Sequence, residues 1–278
     1  MAVTAQMVKE LRDKTGAGMM DCKKALVESG GDEEKAVVYL REKGLAKAAK
    51  KVGRATSEGL MALHLSDDAK TGVLVEVKCE TDFVAKNEQF QAFAADLAAK
   101  VAALDVTSGQ ADELPEDITD LTQLISTLGE NMQLGRFVKI STDGFLGTYV
   151  HANGKIGVLV EFTGERNDEL GKDLAMQVAA VSPACVTPDE LPADVLEREK
   201  GIYKTQAMDE GKPEEIAEKI VMGRLNKFYK EVCLLEQPFI KDDKKTIKQL
   251  LKESGGQGVA GFVRLELGED AEGDSEEE

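Results

Sequence analysis

Gly72-Val73-Leu74-Val75-Glu76 recurs 85 positions later as Gly157-Val158-Leu159-Val160-Glu161. The same offset aligns Gly59 with Gly144 and Lys70 with Lys155. Farther on the offset falls to 77, where Asp96-Leu97-Ala98 aligns with Asp173-Leu174-Ala175 and Val101-Ala102-Ala103 with Val178-Ala179-Ala180. Self-similarity at a fixed spacing marks two copies of one structural unit. β-rich runs at residues 59–65 and 72–78, and again at 144–150 and 156–162, are followed by Ala-rich helical patterns. Each unit therefore reads strand, turn, strand, helix. In the first, Phe90, Phe93, Leu97, Val101 and Leu104 fall on one helical face. Two repeated α+β core subdomains are expected.

The drop in offset means that the first unit holds eight residues more than the second, all between strand and helix, within residues 79–90. Extra length at a strand end belongs to a surface loop, and loops held on a rigid scaffold carry function. Phe83, preceded by Asp82, is placed to enter a partner's pocket. Taken by periodicity alone, Phe83 reads more readily as core and Asp82 as a turn former or helix cap.

Working outward, the first 40 or so residues read as three helices joined by glycines. Thr4 caps a helix with Met7, Val8 and Leu11 on its apolar face. Thr15-Gly16-Ala17-Gly18 breaks it, and a second helix runs through Met19, Met20, Cys22, Ala25 and Leu26 to Gly30-Gly31. Asp32 caps a third, through Ala36, Val37 and Leu40, closed by Gly44. This is a ubiquitin-associated-like three-helix module, and with a basic linker containing Lys47, Lys50, Lys51 and Arg54 it spans residues 1–54. Core subdomain 1 covers 55–140, with an acidic loop at 105–117 and an amphipathic helix through Ile118, Leu121, Leu124, Ile125, Leu128 and Met132. Core subdomain 2 begins at 141–187. Residues 188–235 interrupt it as a helical hairpin, a coiled-coil insertion with Leu191, Val195, Leu196, Ile202 and Tyr203 on one arm. Ile216, Ile220, Leu225, Phe228 and Val232 lie on the other, which starts at Pro213. Residues 236–268 complete the subdomain with a helix at 246–252 and a last strand at 259–267. The acidic stretch 269–278 reads as a disordered tail.

Composition narrows the function classes. The formal net charge is −17, which disfavours nucleic acid and anionic membrane as partners, although residues 1–54 hold twelve Lys/Arg against eight Asp/Glu. There is no run of about 18 apolar residues, and Met1-Ala2-Val3-Thr4-Ala5-Gln6 does not read as a signal peptide. The four cysteines, Cys22, Cys79, Cys185 and Cys233, form no CxxC pair, so reduced cytoplasmic thiols are expected rather than disulfides or a zinc site. Only two histidines are present. With no phosphate loop, ligand cluster or acid/base pair, no catalytic residue, metal site or cofactor is expected.

Leu11-Arg12-Asp13-Lys14-Thr15-Gly16-Ala17-Gly18-Met19-Met20-Asp21-Cys22-Lys23-Lys24-Ala25-Leu26 resembles the N-terminal signature of the elongation factor Ts family, and Thr81-Asp82-Phe83-Val84 resembles its second signature. Gly154-Lys155-Ile156-Gly157-Val158-Leu159-Val160, the segment 212–219 and Gln237-Pro238-Phe239 are also similar to family segments. The resemblance spans roughly residues 4–268. The acidic tail departs from members that end in a helical module.

The resemblance implies a guanine-nucleotide exchange factor for elongation factor Tu in translation elongation, acting in the cytoplasm as a binding protein and not an enzyme. It would bind elongation factor Tu in its GDP-bound and nucleotide-free forms, displace magnesium, promote GDP release and stay bound until GTP arrives. Thr81, Asp82, Phe83 and Val84 are the implied magnesium-displacing contacts. Lys9, Arg12, Lys14 and Met19 in the N-terminal module, and His151 and Gly154 in an exposed turn, are the weaker contact candidates. A homodimer through the core or the hairpin stays open. Two other classes compete: a helical adaptor for peptides or ubiquitin-like partners, which leaves Thr81–Val84 unexplained, and an enzyme using Cys79 or scattered carboxylates, which lacks a phosphate loop, metal cluster or acid/base pair.

Overall fold

Three helices open the chain in the computed structural model, which describes residues 3–211 and 213–269. They are α1 (Ala5–Thr15), α2 (Met19–Glu28) and α3 (Glu33–Ala49). Thr4 and Asp32 cap α1 and α3 by accepting backbone N–H bonds from Met7 and Lys35. Val8, Leu11, Cys22, Ala25, Leu26, Ala36 and Leu40 form their shared core. Met19 and Met20, at the start of α2, point to solvent. Gly44 does not close α3. The helix continues through it to Ala49, and Gly44 is buried facing Ser126, whose Cβ would be 3.6 Å from an added methyl, an ordinary packing distance.

The chain then forms β1 (Glu58–Leu65), β2 (Thr71–Cys79), a one-turn helix α4 (Asp82–Ala85), α5 (Glu88–Ala102) and β3 (Ser108–Gln110). Two short helices follow, α6 (Glu116–Thr119) and α7 (Thr122–Leu128), and then β4 (Met132–Ser141). The single helix expected through 118–132 is therefore broken at Asp120-Leu121, and Met132 starts a strand. Residues 105–117, read as loop, contain β3 and a 3-10 turn. Strands β1, β2, β4 and β3 make one antiparallel sheet in that order.

The second unit holds β5 (Phe145–Val150), β6 (Ile156–Thr163) and α8 (Asp168–Val181). Next comes the helical hairpin, α9 (Ala193–Asp209) and α10 (Glu214–Val232). Then follow β7 (Pro238–Phe239), β8 (Asp242–Thr246), α11 (Ile247–Glu253) and β9 (Gly258–Glu266). The last strand pairs with β6, giving the sheet β5-β6-β9, as the pattern at 259–267 suggests. Ala207, Ala217 and Leu225 are buried between the hairpin arms. Ile202 and Ile216, assigned to its apolar faces, are exposed instead, because two helices alone bury only a narrow seam. Of the acidic tail, only Glu269 lies within the described residues.

The α+β fold stacks the two sheets face to face with a helix on each outer side. Alternation along β2 and β6 explains how. Val73, Val75 and Val77 face α5, while Leu74 faces the other sheet. Val158, Val160 and Phe162 face α8, while Leu159 points inward. Both faces are buried, so the runs read as continuous apolar stretches. The two repeats meet reciprocally. Gly72 receives Leu146 and Leu159, which a Cβ there would meet at 2.8 and 3.1 Å, and Gly157 receives Leu74, at 2.7 Å. Met61 N–H donates to Gly154 O at 2.8 Å, and the repeat-equivalent Leu146 N–H donates to Ala69 O at 2.7 Å.

On the outer side of the second sheet, α8 rests backbone to backbone on β5: a methyl on Gly147 would come within 2.6 Å of the Gly171 Cα. Gly147→Ala is accordingly expected to destabilise the chain by about 1–3 kcal/mol, read as a lower urea midpoint. An unchanged midpoint would mean that α8 does not ride so close to the sheet.

Candidate partner-binding site

The eight added residues fold into a short, tightly bonded projection. At the end of β2 the Cys79 thiol donates to Thr81 O at 3.1 Å, and Glu80 accepts from Asn131 N–H and from Arg54 at 3.4 Å. Thr81 has extended backbone and caps α4, its hydroxyl oxygen accepting from Val84 N–H at 3.4 Å. Its own N–H and O–H both donate to the Glu130 carboxylate, at 3.0 and 2.7 Å. Asn87 then caps α5.

One helical turn sends successive side chains in opposite directions. Val84 is buried in the core under α5, and Phe83 is 82% exposed. Burial of the benzyl ring, the bland reading of this position, is therefore ruled out within the chain. Asp82 accepts from Lys86 Nζ at 2.7 Å, and this bond holds its carboxyl below the usual range, so it is ionised at neutral pH.

Beside α4 lies an open cavity of about 630 Å³. Asp82, Ala85 and Lys86 line one side, Leu60 the floor, and Gly154 and Lys155 the other. Lys155 pairs with Glu58 at 2.8 Å. Asp82 and Gly154, far apart in sequence, thus meet at one cleft because Gly154 O is hydrogen-bonded to β1. His151 is exposed in the same turn, its Nδ1 3.2 Å from the Tyr149 hydroxyl, and does not line the cavity. Lys9, Arg12, Lys14 and Met19 are all exposed on α1 and the start of α2, outside the cleft, and Lys14 is paired with Glu33 at 2.9 Å. Sequence reasoning missed Glu130, Lys86, Glu58 and Lys155 as parts of this site. Lys86 was findable, four residues after Asp82 on a helical turn. Nothing local marks Glu130.

Among the described residues no group of three or more His, Cys, Asp or Glu is placed to hold a metal ion, and no helix is long and apolar enough to cross a membrane. The Cys79 thiol is buried and pushed up to about 11, first by desolvation and then by the Glu130 carboxylate, so it is a poor nucleophile at neutral pH.

A family model described as "Elongation factor TS" matches residues 80–269, a span that opens at the projection and takes in β3, β4 and the whole second sheet. This chain belongs to the elongation factor Ts family. It is 52% identical to elongation factor Ts of Nitratidesulfovibrio vulgaris strain DP4, with 98% of each chain covered. It is also 52% identical to that of Desulfovibrio desulfuricans, over 96% of this chain and 98% of the relative. Identity to the protein of Clostridium botulinum strain Alaska E43 is 50%, over 97% and 94%. Membership makes it an elongation factor of protein biosynthesis, from a family of exchange factors for elongation factor Tu.

The Thr81–Glu130 pair is what stiffens the projection. Glu130→Ala would leave the half-buried Thr81 N–H and O–H without their acceptor, at a cost of about 1–3 kcal/mol. Faster amide exchange across 80–86 is the expected signature, and unchanged exchange would show that the capping turn holds without Glu130.

Proposed function

We propose that the chain drives GDP out of elongation factor Tu by inserting Phe83 between elements of the partner's nucleotide domain, displacing the groups that hold magnesium. The observation that carries this reading is an aromatic ring 82% exposed on a capped, multiply hydrogen-bonded turn. A large apolar side chain held in water on a rigid support is built for another protein's pocket.

The energetics are feasible. A GTPase that holds GDP at nanomolar affinity lies about 12 kcal/mol below the free state. Weakening that grip by four orders of magnitude takes roughly 5.5 kcal/mol of differential binding. Burying Phe83 supplies about 1.5–3 kcal/mol, and the remainder must come from wider contacts. Linkage demands that the factor bind the nucleotide-free partner best and be released when GTP returns. Ionised Asp82 competes electrostatically near a metal that bridges phosphates. The N-terminal module, through Lys9, Arg12, Lys14 and Met19, grips the GTPase domain. The turn holding His151 and Gly154 meets a second domain of the partner. In this reading the protein acts by binding alone, without catalytic chemistry or a cofactor of its own.

Phe83→Ala tests it directly. Because the ring makes little contact within its own chain, the variant should melt like wild type. In stopped flow with fluorescent GDP on elongation factor Tu, it should lose most of the acceleration, on the order of tenfold or more for 1.5–3 kcal/mol. Exchange as fast as wild type refutes the insertion.

A further inference from the structure

Two cysteines separated by 48 positions meet where the helical hairpin joins the core. Cys185 Sγ lies 3.5 Å from Cys233 Sγ, and both residues are buried. Cys185 stands just before the hairpin and Cys233 just after α10. Their backbones are paired as an isolated parallel bridge. Ala184 N–H donates to Val232 O at 2.8 Å, Leu234 N–H to Cys185 O at 2.9 Å, and Leu235 N–H to Val186 O at 3.1 Å. Neighbouring strands lie about 4.8 Å apart, inside the roughly 4.4–6.8 Å range of Cα separations that a disulfide spans. Bond formation needs the sulfurs to close to about 2.05 Å, a change within reach of side-chain rotation. The other two thiols have different partners: Cys22 lies against Ala17 O and Cys79 against Thr81 O.

We propose that Cys185 and Cys233 are a dithiol modification site, convertible by a small-molecule disulfide of the glutathione type into an intramolecular disulfide that clamps the neck of the hairpin. The Cys185 thiolate attacks the oxidant's S–S bond, forming a mixed disulfide and expelling one thiolate. The Cys233 thiolate then attacks the Cys185 sulfur, forming the intrachain bond and expelling the second. The two protons lost by the protein end on the two released thiols, so the protein is oxidised by two electrons and the oxidant reduced by two.

Cys185 is the natural attacker. It is the less buried of the two, and its pKa is raised by burial, with the bond to the Cys233 thiol offsetting part of that rise. Cys233 is fully buried and pushed up to about 12, first by desolvation and then by Cys185 itself; the Cys185 part of that push ends once its sulfur is held in the mixed disulfide, so Cys233 acts second. The bond would close a loop containing the whole of α9 and α10, fixing the hairpin's exit from the second sheet. This inference does not depend on the exchange reading.

The test uses the native full-length chain incubated with excess glutathione disulfide, quenched in acid, then denatured for thiol counting and peptide mapping. The expected result is a fall from four free thiols to two, the mass of the monomer falling by two hydrogens, and a single cross-linked pair containing Cys185 and Cys233. Dithiothreitol should restore all the thiols. Cys185→Ser and Cys233→Ser should each form no intrachain bond. Four thiols remaining in the wild type, or a bond that involves Cys22, Cys79 or a second chain, overturns the proposal. The wild-type map decides the matter even if a variant folds poorly.

Discussion

The arrangement rests on a reciprocal contact between two copies of one strand pair. Leu159 enters the space left by Gly72, together with Leu146, and Leu74 the space left by Gly157. The flanking backbone bonds, Met61 to Gly154 and Leu146 to Ala69, obey the same exchange. A self-complementary interface of this kind follows whenever related units face each other across an approximate two-fold axis. Glycine at each receiving position lets the sheets approach closely, and the leucines lock their lateral register. Every element near the candidate site inherits its position from this contact. The turn at 151–155 lies over β1 because Gly154 O binds there, and the cleft beside α4 exists because that turn overhangs it.

The candidate site lies where the symmetry breaks. The first repeat carries α4 between its second strand and its helix, whereas the second repeat passes almost directly from β6 to α8. In that inserted turn the bonds to Glu130, the cap by Thr81 and the burial of Val84 hold the backbone in one conformation. The ordering entropy of the projection is thus met during folding, which under the proposed insertion leaves more of the Phe83 burial energy for binding. A flexible loop carrying the same ring would lose part of that advantage.

Buried polar groups show a second departure from symmetry. Glu76 and Glu161 are repeat equivalents, yet Glu76 is almost wholly buried. Its carboxylate accepts from Arg136 N–H at 3.3 Å and Gly268 N–H at 2.8 Å, with the Arg136 and Lys78 side chains close by. Such a group is tolerated only when its partners are in place, so Glu76 ties the end of β9 to the four-stranded sheet. The neck of the hairpin is a comparable junction, where chain segments from the entry and exit of a long excursion are zipped by backbone bonds.

Local chemistry made much of this legible. Capping residues, glycine turns and hydrophobic period located the three N-terminal helices, both hairpin arms and the repeated strand-strand-helix units, because each signal acts within a few residues. The insertion that holds Phe83 was visible as a change in repeat offset. Strand β4 was not, since Met132 continues a helical spacing until sheet pairing with β2 overrides it. Gly44 looked like a stop signal but serves as a contact surface for α7. Glu130 beneath Thr81, Lys155 beside Asp82 and Cys185 against Cys233 join positions that share no local pattern. The elements, their repetition and the position of the extra turn are written in local residue patterns. That Phe83 faces solvent and that Asp82 and Gly154 share a cleft emerges only on folding, because the packing of one sheet on the other sets those distances and no interaction within a single segment can.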